Sequence, residues 1–178
     1  MKRACFLAAL VCVAGCQSTP TRPLPLAQSV DLDRFMGDWY VIASTPTFID
    51  RKAEDAVESY RRDADGSIAT TYTFRNGSLG TQLSRYTPRG FVHPGTGNAV
   101  WDMQFVWPIK ADYRIAWLAP DYSRVVIARE KRDYAWIMAR TPSIPEAQVD
   151  EMYVFLRANG YDTATLRRIP HAPQGAAR

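Results

Sequence analysis

The sequence has few of the residues that form covalent cross-links or carry most enzyme chemistry. Only three of its 178 residues are cysteines, and two are histidines. All three cysteines lie within the first sixteen residues, so a disulfide within the remainder of the chain is excluded. We therefore expect the fold to be stabilised by a hydrophobic core, without covalent staples.

Motifs that would indicate a catalytic centre are also missing. His93 precedes a proline in a predicted loop and His171 lies near the end of the chain; neither has a cysteine or acidic partner at the spacing of a metal site or catalytic triad. No serine lies in a G-x-S-x-G sequence, and no glycine-rich phosphate loop follows a predicted strand. We expect a protein that is not an enzyme and has no metal or cofactor.

Blocks of like charge and long apolar runs are absent as well. The 22 basic residues exceed the 18 acidic ones by four, and Lys2 and Arg3 account for two of that excess. Bases and acids are interspersed along the rest of the chain, which argues against a nucleic-acid-binding surface. The apolar run from Ala4 to Val13 is shorter than the ~20 residues that a membrane span requires.

The amino-terminal segment has the composition of a secretory signal. Two bases precede the apolar run, and Val13-Ala14-Gly15-Cys16 follows it. This tetrapeptide resembles a bacterial lipobox, which implies removal of residues 1–15 and attachment of a diacylglycerol group to the Cys16 thiol. Gln17 after the cysteine implies sorting to the outer membrane, where the acyl chains form a lasting anchor. A cleaved signal with an incidental cysteine is the alternative.

The organisation after the predicted signal is simple. Residues 16–29 comprise the lipidated cysteine and a proline-rich tether, whose thirteen residues after Cys16 span about 40 Å when extended. The length then suits one domain with a single hydrophobic core over residues 30–170. We expect residues 171–178 to form a flexible tail.

The central part of the chain has the composition of an antiparallel β domain. Short runs rich in Val, Ile, Tyr, Trp, Phe and Thr are separated by turn signals such as Asp65-Gly66 and Asn76-Gly77. The pattern predicts eight strands, with approximate bounds 37–44, 55–62, 67–75, 82–92, 98–107, 112–118, 123–130 and 133–140.

A helix is predicted after the last of these strands. Ser143 and Glu146 have the spacing of a capping box, which predicts a helix over residues 144–159. Gly160 follows as its stop, and a short final strand is predicted over residues 166–169. The apolar stripe of the helix comprises Val149, Met152, Tyr153 and Leu156.

Together these elements predict an all-β fold, an eight-stranded antiparallel up-and-down barrel with one C-terminal α-helix packed outside. Large apolar side chains alternate onto one face of several strands, while small residues occupy the other face of the last strand. Two apolar faces require two neighbours, the barrel interior and the helix. A β-sandwich is the competing architecture.

Particular residues carry a resemblance to the lipocalin family. Gly37-Asp38-Trp39, at the start of the first predicted strand, matches the G-x-W signature of that family. Pro120-Asp121-Tyr122 resembles its T-D-Y loop with proline in place of threonine, and Arg140 ends the last predicted strand. The similarity extends over about residues 30–169, and residues 133–142 resemble bacterial outer-membrane lipocalins most closely.

The resemblance implies how the barrel is closed and where its site lies. In lipocalins the arginine corresponding to Arg140 packs across the tryptophan corresponding to Trp39 at the closed end, where a guanidinium gains cation–π attraction. The open end is then the expected ligand site, and aromatic and methionine side chains suit a long acyl chain. The candidate cavity residues are Trp101, Met103, Phe105, Tyr113, Trp117, Tyr134, Trp136 and Met138.

Each of these side chains has the alternative role of filling the core. Arginines and tyrosines near strand ends are candidates to meet a carboxylate or phosphate head group at the rim, against the alternative of a solvated position. They are Arg85, Tyr86, Arg114 and Arg124.

The expected function is an outer-membrane-anchored carrier of fatty acids or lysophospholipids, and the resemblance implies a role in membrane maintenance. Two alternatives are a lipid-modifying enzyme on the same barrel and a structural lipoprotein whose barrel is filled. The expected partners are the lipid ligand and the membrane, without nucleic acid. A homodimer is compatible with the sequence.

Overall fold

The computed structural model describes residues 22–77 and 82–172. The predicted signal, the predicted lipidation site at Cys16 and all but the first two residues of the predicted tail lie outside this part of the chain.

The described residues form an antiparallel meander of strands with helices at its two ends. In chain order the elements are α1 (Leu32–Phe35), β1 (Gly37–Ser44), β2 (Ala53–Arg62), β3 (Ile68–Asn76), β4 (Leu83–Tyr86), β5 (Arg89–Val92), β6 (Val100–Val106), β7 (Ile109–Leu118), β8 (Arg124–Ala128), β9 (Ala135–Ala139), α2 (Glu146–Ala158), a 3₁₀ helix (Thr163–Thr165) and β10 (Arg167–Arg168).

Hydrogen bonds between β9 and β1 close the meander into a barrel. Tyr40 pairs with Ala139 and Ser44 pairs with Trp136. A sandwich would leave these two strands in separate sheets, so the predicted barrel is confirmed. The short β10 pairs with the end of β1, as the predicted final strand requires.

One predicted strand, over residues 82–92, is interrupted in the structure. It forms β4 and β5, which both pair with β3 and are separated by Thr87 and Pro88. Proline has no backbone N–H to donate to a ladder, which explains the break. β5 continues the sheet to β6, whereas the only pairing of β4 within the described residues is with β3. A gap therefore separates β4 from the end of β6.

Helix α2 covers the outside of the barrel, but its start differs from the prediction. The capping-box prediction is wrong: Pro145 is the N-cap, no side chain of the described residues caps the helix, and the carbonyl of Ser143 instead accepts from Thr141. Ile144 precedes a proline, a position that disfavours helical backbone, so the helix begins at Glu146. The predicted stripe is confirmed, since Val149, Met152 and Leu156 are fully buried against small residues of β8 and β9.

The segment before α1 differs from the expected tether. Residues 22–29 lie along the outer wall, where Ala27 N donates to Ile115 O at 2.9 Å and Leu24 is 4% exposed. The prolines keep this segment extended, but its leucines bury apolar surface on the barrel. The extended spacer is therefore corrected for residues 22–29; the rest of it lies outside the described residues.

The chain after β10 is also packed where it is described. An imidazole nitrogen of His171 lies 2.9 Å from the carbonyl oxygen of Val41, and Ala172 N donates to Asp55 at 2.7 Å. The folded domain thus extends at least to Ala172, beyond the predicted boundary at residue 170.

The closed end of the barrel is built around Trp39 and Arg140. The guanidinium carbon of Arg140 lies 3.8 Å from the centre of the Trp39 ring, and its nitrogens donate to the carbonyls of Asp38 and Arg34 at 2.8 Å and of Phe35 at 3.0 Å. Gly37 has φ +93°, a conformation that glycine adopts without strain.

Helix α1, which the sequence analysis did not predict, completes this end. Asp31 accepts from the backbone N–H of Asp33 and Arg34 and so caps it. The helix places Phe35 inside the barrel, fully buried, with its ring 5.1 Å from that of Trp39.

The predicted loop motif supports the same end. Tyr122 has φ +62°, its hydroxyl accepts from Asp31 N at 2.8 Å, and its carbonyl accepts from Arg140 at 3.4 Å. Asp121 accepts from the backbone and hydroxyl of Ser123, which holds the turn. Proline at position 120 is therefore compatible with the loop.

Replacing Arg140 with methionine tests the closed end. The variant keeps most of the apolar stem but leaves four carbonyls without their charged donor, so we expect the free energy of unfolding to fall by about 2 to 4 kcal/mol. Arg140→Lys keeps the positive charge but lacks the planar guanidinium, so its free energy of unfolding should lie between those of the wild type and Arg140→Met. Urea denaturation measures the change. Arg168→Met, which breaks an exposed ion pair with Glu146, is the control and should change stability by about 0.5 kcal/mol or less.

Candidate functional site

A cavity of about 160 Å³ lies inside the barrel, above the aromatic residues of the closed end. Its walls are mostly apolar, and five of the eight residues predicted from the sequence line it: Met103, Phe105, Tyr113, Tyr134 and Trp136. Alternation along β6, β7 and β9 brings them to the same interior, as the sequence pattern indicated.

Two other predicted residues point inward but do not line the cavity. Trp101 is fully buried, with its ring 5.6 Å from that of Phe35 and 5.2 Å from that of Tyr113, and its indole donates to Asn98 O at 2.7 Å. Met138 is fully buried in the same inner core. Both fill the closed half of the barrel, so their predicted place in the cavity lining is corrected.

Trp117 lies on the opposite side of the wall from the predicted one. It packs against the outer cluster beneath α2, with the Arg124 guanidinium 5.4 Å from its ring centre. The pairing of β7 with β8 shifts register between Ile115 and Trp117. A β-bulge of this kind adds a residue to one strand and reverses the alternation beyond it.

Polar residues that enter the cavity from β2 and β3 were not predicted from the sequence. Glu58 and Thr70 line it, beside Tyr72. Alternation could have found Glu58, because Ala56 and Tyr60 share its face and are buried. Its charge was the misleading signal, since carboxylates are rarely placed inside a barrel.

Glu58 lies at the inner end of the cavity, directly across the β1–β2 ladder from Trp39. The Tyr60 hydroxyl donates to Glu58 Oε2, and the Tyr113 hydroxyl lies 2.7 Å from that of Tyr60. When Glu58 is ionised, the Tyr60 hydroxyl donates its hydrogen bond to the carboxylate. The Tyr60 oxygen then accepts the hydrogen bond that the Tyr113 hydroxyl donates. We refer to Glu58, Thr70 and these two tyrosines as the polar floor.

The environment of Glu58 favours its neutral form. The protein surrounds it, and its accessible surface faces the cavity, so burial raises its pKa from 4.5 to about 7. The hydrogen bond from Tyr60 opposes this rise in pKa, and the negative charge of Asp50 adds to it. Burial and the Glu58 charge raise the pKa of Tyr60 and of Tyr113 well above its usual value, so both hydroxyls keep their protons.

Thr70 presents an unused polar atom to the same space. The residue is 3% exposed, and its Oγ1 has no hydrogen-bond partner among the described residues. Buried hydroxyls are normally satisfied, because leaving one unpaired costs about 1 to 3 kcal/mol.

Asp50 organises the loop above β1 and β2. It is 3% exposed, accepts from the backbone and hydroxyl of Thr47, and accepts from the Tyr72 hydroxyl at 3.0 Å. This loop therefore forms a fixed part of the open end of the barrel. We call the open end the mouth, and it comprises residues 45–52, 105–109 and 129–134.

An open groove of about 580 Å³ continues the cavity at the mouth. The two share Thr47, Pro88 and Phe105 in their walls. Of the predicted rim residues, Arg85 and Tyr86 line this groove.

The other two rim candidates hold ion pairs instead of lining the groove. Arg114 pairs with Asp112 and Glu130, and Arg124 pairs with Glu151 at 2.7 Å. Arg129, which was not predicted, lines the inner cavity with its Nε 3.4 Å from Asp133.

The described residues contain neither a cluster of metal ligands nor a membrane-spanning helix. No group of three or more His, Cys, Asp or Glu side chains in residues 22–77 and 82–172 could hold a metal ion. No helix in that part of the chain is long and apolar enough to cross a membrane.

Comparison with known proteins agrees with the fold. The profile of the family described as "Lipocalin-like domain" matches residues 30–171. Temperature-induced lipocalin-1 of Arabidopsis thaliana is 27% identical over 164 residues, which cover 86% of each chain. Outer membrane lipoprotein Blc of Escherichia coli K12 is 27% identical over 157 residues, which cover 88% of each chain.

Solved structures show the same architecture at lower identity. Insecticyanin from the tobacco hornworm Manduca sexta superposes with a TM-score of 0.64 over 85% of each chain, at 14% sequence identity. This likeness concerns the fold alone.

The pH dependence of stability tests the environment of Glu58. Below pH 4.5, Glu58 is protonated in both the folded and the unfolded state, and its contribution to the stability of the folded state is fully present. Because folding raises its pKa, that contribution is lost as the pH rises through about 7. We expect up to about 3 kcal/mol of unfolding free energy to be lost across this range in the wild type. Glu58→Gln should lack that loss, so its advantage over the wild type should grow with pH.

Urea denaturation at several pH values between 4.5 and 8 measures this difference. Glu54→Gln, on the same strand but outside the cavity lining, is the matched control and should follow the wild-type curve. Parallel curves for wild type and Glu58→Gln would show that the Glu58 pKa is not raised by folding.

Proposed function

The chain belongs to the lipocalin-like domain family, and we propose that it is an outer-membrane lipoprotein that binds a fatty acid or lysophospholipid in its barrel. The observation that carries this proposal is the mostly apolar cavity that opens at one end only of a barrel closed by Arg140 and Trp39. Lipocalins are generally binding proteins, and this cavity gives the chain a place for an apolar ligand.

The dimensions of the site favour an elongated ligand. The inner cavity, at about 160 Å³, is smaller than the 300 to 1,000 Å³ of ordinary ligand pockets. Its continuation into the mouth groove allows an acyl chain to lie partly inside the barrel and partly in the groove. The filled-barrel alternative is disfavoured because the space between Met103, Tyr113 and Trp136 is open.

The side chains also suit this chemistry. Phe105, Tyr134 and Trp136 offer broad apolar surfaces, and Met103 adapts to an irregular chain. Arg85 in the groove and Arg129 in the upper wall could meet a carboxylate or phosphate that stays at the mouth.

The cellular place of the protein belongs to the same proposal. The lipobox-like sequence before Cys16 and the relatives named outer membrane lipoprotein support lipidation at Cys16 and an outer-membrane location. A membrane-bound carrier of lipids released from that membrane would serve its maintenance.

Blocking the cavity tests ligand binding. A fluorescent fatty acid added to delipidated protein should bind saturably and quench the emission of Trp136, which lines the cavity. Ala111→Phe fills part of the cavity and should weaken binding about tenfold or more, because displaced methylenes lose about 0.8 kcal/mol each. Ala69→Phe, outside the cavity lining on β3, is the control. Absence of saturable uptake by the wild type would favour a structural lipoprotein.

A further inference from the structure

We propose that the polar floor is a hydroxyl-binding subsite, and that the preferred ligand is an acyl chain with a hydroxyl group at the end that enters the barrel. This inference rests on the proposed function, because it specifies the ligand of the same cavity. It adds a polar contact at the inner end, where a plain hydrocarbon tail would need none.

The strand register places the two decisive side chains together. Glu58 pairs with Tyr72 across the β2–β3 ladder, and Tyr60 pairs with Thr70. Glu58 and Thr70 are therefore diagonal neighbours on one face, with Cβ atoms about 7 Å apart. This separation leaves room for one ligand oxygen between their side chains.

Each of the two side chains has hydrogen-bonding capacity that the protein does not use. Of the described residues, Tyr60 alone donates to Glu58, and it does so at Oε2. Thr70 Oγ1 is buried and has no hydrogen-bond partner among the same residues. A ligand hydroxyl can donate to Glu58 and accept from Thr70, so a single group satisfies both.

Other ligand ends fit this floor less well. A methyl end would leave Glu58 and Thr70 facing hydrocarbon, which costs free energy for both polar groups. A carboxylate end would meet no basic side chain of the polar floor and would be repelled by Glu58 when that residue is ionised, whereas Arg85 and Arg129 stand at the mouth. The charges therefore orient the chain with its acidic group outward and its hydroxyl inward.

Competition binding tests this subsite. The probes are unbranched fatty acids of 10 to 16 carbons and their ω-hydroxy derivatives, each displacing a fluorescent fatty acid from the delipidated full chain. For at least one length we expect the ω-hydroxy acid to bind about tenfold more tightly than its parent. Glu58→Met and Thr70→Val should each remove most of that preference, and Glu58→Gln should keep part of it.

Matched variants separate this subsite from a general change in the barrel. Thr71→Val, the next residue on β3 and outside the cavity lining, should keep the preference. Thr70→Val should unfold at the same urea concentration as the wild type or a higher one, since the lost hydroxyl has no partner. Parent acids that bind as tightly as hydroxy acids at every length, or a preference that survives in both variants, would overturn the subsite. Absence of binding by all probes would instead overturn the proposed function.

A separate set of side chains, at the mouth, leads us to infer that the open end of the barrel rests on a phospholipid bilayer. Phe48 is 87% exposed, Trp107 82%, Ile109 71% and Val106 67%. Phe48 lies on the loop after β1, and the other three lie at the turn that joins β6 to β7; Phe48 and Val106 line the groove. Large apolar and aromatic side chains on loop tips are suited to the interface of a membrane.

The path of the chain places the proposed anchor at the same end. Arg22 accepts a hydrogen bond from Arg132 and Leu24 N lies 3.3 Å from Glu130, both on the mouth side of β8 and β9. Five residues lie between Cys16 and Arg22, so the two α-carbons are at most about 22 Å apart. The ten residues of β7 extend about 33 Å, or about 25 Å along a tilted barrel, so the anchor cannot reach past the closed end.

The exposed charges beside these apolar residues fit the same surface. Arg51 and Lys52 follow Phe48, and Lys110 follows Ile109; all three are exposed. Bases that border an apolar patch attract anionic phospholipid head groups. Lipid anchor, apolar tips and bases thus converge on one end of the barrel.

Quenching by brominated lipid tests this orientation. The lipidated full chain is reconstituted into vesicles of phosphatidylethanolamine and phosphatidylglycerol whose acyl chains carry bromine, which quenches nearby tryptophan. Trp107→Phe should remove most of the quenchable emission. Trp117→Phe, on the outer wall beneath α2, is the control and should retain it.

The outcomes distinguish the anchor from the docking surface. Quenching that is unchanged in Trp107→Phe would overturn the orientation. Cys16→Ser tests the anchor itself, and we expect it to release the protein from washed membranes while fatty-acid binding persists. If Cys16→Ser stays bound and Trp107 stays quenched, docking is supported and lipid anchoring is contradicted.

Discussion

The contact between Arg140 and Trp39 determines which end of the barrel can hold a ligand. The guanidinium covers the indole and donates to carbonyls of α1, of the start of β1 and of the loop before β8. It thereby holds α1 across the barrel, with Phe35 directed inward against Trp101. Because aromatic rings fill the closed half, the cavity lies in the other half and opens away from Arg140.

The boundary between these halves is polar. Tyr113 stacks on Trp101, and its hydroxyl is hydrogen-bonded to that of Tyr60, which in turn donates to Glu58. The aromatic core and the cavity therefore meet at a carboxyl group. A carboxyl in this position costs stability when it is ionised, and an apolar residue of similar size would pack without that cost. Its presence inside an otherwise apolar barrel fits the proposed contact with a ligand hydroxyl.

The sequence predicted the structure of a segment correctly where one physical rule governs it, and incorrectly where two rules compete. Alternation placed Met103 and Trp136 in the cavity, and the G-x-W and arginine motif located the closed end. Alternation failed at Trp117, because a bulge that depends on the partner strand reverses it. The inward position of Glu58 was not predicted, because a charged side chain is not expected inside a barrel; it follows from the register of β2. The capping pattern at Ser143 failed because proline two residues later constrains the backbone of Ile144. Lipidation at Cys16 stays a prediction.

The break at Pro88 gives the barrel an uneven stiffness. Along most of the wall, widening the barrel would stretch the hydrogen bonds between paired strands. Between β4 and the end of β6 there is no such pairing among the described strands, and the groove at the mouth lies there. Separating these two edges bends the wall at Thr87 without breaking a strand pairing. Strand pairing thus constrains the wall around the inner cavity more than beside the groove, which is where the bulkier outer end of the proposed ligand would enter.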